Sequence, residues 1–152
     1  MKNPKINLNK TNKTNLSNMT NNNSKTIKKW HLVDLKGKIL GREGTYIASL
    51  LMGKSKPEYV RNLDLGDYVV VINALQVKLT GNKETKKNYY HHTGYPDGMR
   101  IESFAQVKAK DPRRIISHAV AGMLPQNKLK PLMLKRLYIY TDDKHPFSDK
   151  FV

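Results

Sequence analysis

The sequence predicts an α/β domain on a small, largely parallel sheet, preceded by a basic tail that does not fold by itself. Three observations carry this expectation. "DYVVVINA" contains five consecutive apolar residues, Tyr68–Ile72, rich in β-branched types, the pattern of a strand covered on both faces. "EGTYIASLLMG" upstream has helical spacing, and "WHLVDL" before it reads as a strand, so the order strand, helix, buried strand opens a βαβ unit. "DPRRIISHAVAGML" is the clearest helix in the chain.

Taken in order, residues 1–29 come first, with nine Asn, seven Lys and no acid, and with the short tandem repeat "NKTNKTN" at Asn9–Asn15. So few large apolar side chains cannot repay the chain entropy of ordering, so this stretch is expected to be disordered in isolation. Its N-x-S/T triplets follow from an Asn/Thr-rich composition, because no apolar signal-peptide core precedes them. The tail reads as an organelle-targeting leader or as a basic arm that orders on nucleic acid.

The domain occupies residues 30–152. Its first strand closes at a turn at Lys36-Gly37. Ile47, Leu50 and Leu51 then lie at helical spacing, with Gly53 as the stop. In the later helix Asp111 can cap and Pro112 suits the first position. Ile115, Ile116, Ala119, Val120 and Met123 share one face there, and Pro125 marks the exit. "PLMLKRL" reads as a short helix and "LYIYT" as a last strand.

The 28 Lys and Arg outnumber the 12 Asp and Glu, for a net charge of +16 and a pI near 10.0. Seven of the cations lie in the tail, leaving 21 basic against 12 acidic residues in the domain. Such an excess repels itself in a compact state and calls for a polyanionic partner, nucleic acid or an anionic membrane. No apolar run approaches the roughly 20 residues that a transmembrane helix needs. The absence of Cys excludes disulfides, thiolate catalysis and Cys-based zinc sites.

The densest chemistry lies in "LTGNKETKKNYYHHTGYPDGMR", Leu79–Arg100. As a metal site it is poor, since adjacent His91 and His92 on a strand point to opposite faces. His31, His118 and His145 are scattered. Acid–base catalysis would need an orienting carboxylate, and Asp97 and Glu84 match no spacing that supplies one. No phosphate-binding glycine loop and no nucleophile elbow occurs in the chain.

Nucleic acid accounts for more of the stretch. Lys83, Lys86 and Lys87 can meet phosphates, and Tyr89, Tyr90, His91 and His92 offer rings for stacking. Gly94, Pro96 and Gly98 let the backbone turn tightly. Arg113, in the first turn of a helix, opposes the helix dipole and is better explained by an outside anion. Lys128, Lys130, Lys135 and Arg136 extend the basic surface.

These blocks resemble a known family. "VVVINALQVKLTGNKETKKNYYHHTGYPDGMR", "VAGMLP" and the "NKL" segment, with "WHLVDLKGKILGR", "MGKSKPEY" and "GDYVVVINA", are similar, in collinear order from Trp30 to His145, to large-subunit ribosomal protein L-thirteen in its bacterial and organellar form. The resemblance implies a three-layer α/β/α fold around a four-stranded parallel sheet. It also implies a structural, non-enzymatic role without cofactor or metal: binding large-subunit rRNA and supporting assembly, beside neighbouring ribosomal proteins. A messenger-binding role is a further implication, and neither a membrane partner nor a homo-oligomer is expected.

The expected rRNA contacts are Lys38, Arg42, Lys54, Lys56, Asn82, the segment from Lys83 to His92, Arg100, Arg113, Arg114 and the Lys128–Arg136 cluster. The chain departs from the family at Ala121, where a Lys is usual, at "LGREGT", at "NKLKPLMLKR" and in its ending "FSDKFV". The alternative reading is a free-standing RNA-binding regulator, and a metal-dependent hydrolase is the rival of another class. The tail composition favours an organellar ribosome over a bacterial one.

Overall fold

The computed structural model describes residues 28–151; the tail reading falls outside them up to residue 27. The elements run β1 (Trp30–Asp34), α1 (Leu40–Met52), β2 (Tyr68–Ile72), α2 (Lys83–Lys86), β3 (Asn88–His92), β4 (Met99–Ser103), α3 (Phe104–Lys110), α4 (Pro112–Met123), α5 (Lys130–Leu134) and β5 (Leu137–Ile139). Single 3-10 turns lie at Ala74–Gln76 and Ser148–Lys150.

β1, β2 and β5 form a parallel sheet in the order β1-β2-β5, so the α/β class with a parallel sheet holds. The sheet has three strands among the described residues, not the four that the family resemblance implies. β3 and β4 pair with each other, antiparallel, as a separate ribbon. Their segments are joined by a tight turn, with Gly98 N–H bonded to Tyr95 O at 2.9 Å and Asp97 at φ 55°. A turn that short dictates antiparallel pairing, whereas a parallel strand needs a longer crossover.

Alternation along the strands decides what covers each face of the sheet. Val33, Val69 and Val71 face the helices and join Ile47, Leu51, Ile115, Ile116 and Val120 in one core. Each such fully buried side chain contributes about 1.5–3 kcal/mol relative to exposure. Trp30, Tyr68 and Tyr138 point to the other face, where Trp30 stacks on Tyr68 at 4.5 Å between ring centroids. Phe147 closes this face, 5.0 Å from Trp30 and 4.7 Å from Tyr138. The third layer is therefore a C-terminal segment with aromatic rings instead of long helices, and the departing ending "FSDKFV" supplies its central ring.

Two acids fix the approach to β2. Asp67 is 2% exposed and accepts hydrogen bonds from the Lys29 amide (3.0 Å) and His31 Nε2 (3.0 Å), with the Lys56 ammonium as its ion-pair partner. Asp64 is gripped by both terminal nitrogens of Arg136, whose Nη2 also donates to Leu51 O at 3.2 Å. Between the acids, Gly66 passes so close to the end of α1 that a Cβ there would lie 1.7 Å from Leu51 O. Only a residue without a side chain fits.

Candidate nucleic-acid interface

The β3–β4 ribbon sorts its side chains by parity. In register, Tyr89 faces Glu102, Tyr90 faces Ile101, His91 faces Arg100 and His92 faces Met99. One face therefore carries Tyr89, His91, Arg100 and Glu102, and the other Tyr90, His92, Met99 and Ile101. His91 and His92 thus leave the ribbon on opposite sides. Among the described residues no group of three or more His, Asp or Glu is placed to hold a metal ion.

The inner face is held down by α3 and α4. The Ser103 hydroxyl caps α3 and Gln106 answers it, a reciprocal pair that fixes the helix start directly behind β4. Phe104 and Val107 anchor α3 in the core. α4 begins at Asp111, whose carboxylate accepts the Arg113 N–H at 3.1 Å, with Pro112 at the first position. Arg114 and His118, four residues apart on α4, stand on the same side of that helix. The His118 ring meets Tyr89 edge-on at 5.4 Å and 82°.

Between ribbon and helix lies an open groove of about 640 Å³, bordered by Lys87, Tyr89, His91, Arg100, Arg114 and His118. Lys87 Nζ sits 5.1 Å over the Tyr89 ring. Burial raises the Tyr89 phenol above its ordinary pKa. Glu102, the acid at the groove, is engaged by Lys110 at 2.6 Å and by Arg114 at 3.6 Å. Hydrogen bonding from Lys110, then its charge and that of Arg114, hold the Glu102 carboxyl below the usual range despite some desolvation. The groove thus carries cations and flat rings with its acid already answered.

The predicted contact residues divide. Asn82, Lys83 and Lys86 lie exposed on α2 next to the ribbon, and Lys87, Tyr89, His91, Arg100 and Arg114 gather at the groove. Tyr90 and His92 are exposed on the outer face, Tyr90 at 64%. Lys38 and Arg42 are exposed beyond β1, where Lys38 pairs with Glu43 at 3.5 Å. Lys54, Lys128 and Lys135 are exposed around the end of α1 and α5, and Lys130 is half-buried, bonded to Gln126 at 2.9 Å.

Three of the expected contact residues are engaged within the chain. Arg136 is 5% exposed, and its guanidinium holds Asp64 and Leu51 O together. Lys56 is likewise tied to Asp67 and to Leu65 O, at 2.9 Å. Arg113 remains exposed, but its misplaced charge at the start of α4 is answered within the chain, with Nε 2.9 Å from Asp111 Oδ1. The Arg113 hydrogen bond lowers the Asp111 carboxyl, and Asp111 raises Arg113 in turn.

His118 and Lys110 were missed by sequence reasoning. The available signal was the four-residue spacing from Arg114 to His118, on the helix side away from Ile115 and Ile116.

The family described as Ribosomal protein L13 matches residues 28–146. The large ribosomal subunit protein uL13 of Syntrophotalea carbinolica is 50% identical over 125 residues, 82% of this chain and 88% of that protein. The Nitratiruptor protein of the same description is 50% identical over 121 residues, 80% of this chain and 86% of its own. That of Coxiella burnetii is 46% identical over 125 residues, 82% and 88% of the two chains. All three sources are bacterial, so the preference for an organelle drawn from the tail gains no support.

Proposed function

The chain belongs to the ribosomal protein L13 family, and from that premise we propose that it is a structural, non-enzymatic constituent of the large ribosomal subunit that binds rRNA through the α2–ribbon–α4 face. The observation that carries the reading is the groove face. Cations and rings from three separate segments, Lys87–His91, the strand of Arg100 and the helix of Arg114, meet there around one already-paired carboxylate. Lysines and arginines displace counterions from phosphates, while imidazole and phenol rings meet sugars and unstacked bases. By holding RNA segments on a rigid α/β body, the domain of residues 30–152 supports assembly of the particle.

The direct test is recovery of the tagged full chain after sucrose-gradient sedimentation of cell extracts. Stoichiometric co-migration with the large subunit at high salt is the expected outcome. Recovery only in the light fractions would mean a free RNA-binding regulator instead.

A further inference from the structure

We propose that the groove between the β3–β4 ribbon and α4 receives a single unpaired nucleotide, its phosphate against Lys87, Arg100 and Arg114 and its base against the imidazoles of His91 and His118. The inference rests on the rRNA-binding reading above and specifies which form of RNA this part of the surface selects.

Shape is the first reason. A groove of about 640 Å³ falls within the roughly 300–1,000 Å³ that houses small organic ligands. Double-helical RNA offers a convex backbone and a shallow minor groove, which cannot enter such a concavity. A base splayed out of a loop or bulge can.

Charge is the second. Glu102 is the acid bordering the groove, and it is held by Lys110 at 2.6 Å and Arg114 at 3.6 Å. Among the described residues Arg100 has no ion-pair partner, although it lies opposite His91 at the groove wall. One phosphate adds the negative charge that this cluster lacks.

Ring chemistry is the third. His118 is exposed yet oriented by its edge-on contact with Tyr89. His91 projects from the strand that forms the facing wall. Every base has a π-face, so imidazole stacking favours a nucleotide over a bare anion without demanding a particular base.

The test is nuclear magnetic resonance of the full chain, following the imidazole C–H signals of His91 and His118. The probes are a single-stranded RNA hexamer, a longer blunt RNA duplex supplied at the same total phosphate concentration, inorganic phosphate, and a hexaglutamate peptide. The hexamer is expected to move both imidazoles saturably, with the other three probes weaker by at least about tenfold. Arg114→Gln is expected to weaken the hexamer about tenfold by removing one charge-assisted contact, and His118→Ala to weaken it while leaving the phosphate response unchanged.

Equal affinity for phosphate or hexaglutamate would overturn the proposal by showing selection for charge alone. Equal affinity for the duplex would overturn it by showing an open surface. If the chain binds large-subunit rRNA but the hexamer leaves both imidazoles unmoved, the nucleotide site fails and the ribosomal reading survives. If the chain binds neither, the ribosomal reading itself fails.

Discussion

Asp67 and Arg136 carry the two interactions that a charge count alone would misread. Burial by itself would raise the Asp67 carboxyl, but Lys56, the Lys29 amide and His31 together hold it below its ordinary value. A carboxyl depressed in the folded state contributes stability above its unfolded pKa, about 3.9, and loses it as pH falls through the lower folded value. Chemical denaturation is therefore expected to show stability falling from about pH 4 downward, with Asp67→Asn less stable at neutral pH and flatter on the acid side. A parallel pH profile for the variant would exclude Asp67 as the source.

Arg136→Met removes the main partner of Asp64, leaving Lys28 at 3.5 Å, and is expected to cost about 3 kcal/mol, the low end for breaking a buried pair. Arg114→Gln, at an exposed site, should change stability by less than about 0.5 kcal/mol. Nothing in composition separates Arg136 from Lys128 or Lys135, because charge says nothing of burial. The legible hint was "LDLGD", two acids beside a buried strand in a basic chain.

At the scale of elements, the β1–α1–β2 unit and α4 could be read from the sequence because their apolar periodicity and end signals agree. Ile115, Ile116 and Val120 are buried as spacing predicts, Asp111 caps α4, and Gly53 takes the left-handed conformation at φ 76°. The ribbon and α3 were not legible as elements. "NYYHH" and "MRIES" bury little, with Tyr90, Met99 and Ile101 more than half exposed, so neither strand shows the alternation that marks a covered face. Their pairing depends on the Tyr95–Gly98 turn, where an added Cβ at Gly98 would stand 2.8 Å from Tyr95 O and 2.0 Å from Thr93 Oγ1.

Gly98→Ala is thus expected to cost about 1–3 kcal/mol, the usual range for overpacking, and to speed amide exchange in β3 and β4 while β1, β2 and β5 stay protected. Uniform exchange across both sheets would contradict this division. Ser103→Ala should cost about 1 kcal/mol through the lost cap of α3, read as a lower midpoint in urea.

For the whole molecule, the excess of 28 basic over 12 acidic residues is a statement about partners, and the fold decides which of those charges can meet one. Asp64 and Asp67 draw Arg136 and Lys56 inward, while α2 and the ribbon push Lys83, Lys86, Arg100 and the paired rings outward. The helix-facing core could be read from the sequence, but closure of the opposite face by Phe147 could not, because it joins residues more than a hundred positions apart through ring contacts alone.

The affinity of the full chain for large-subunit rRNA, measured from about 50 to 200 mM salt, tests the central claim most directly. Wild type is expected to weaken steeply along a straight line in log affinity against log salt. The Lys83→Gln, Lys86→Gln, Lys87→Gln triple variant should bind more weakly, with a slope shallower by about two to three, or roughly 0.7–0.9 for each of the lost phosphate contacts. An affinity and a slope unchanged by the triple substitution would contradict the account.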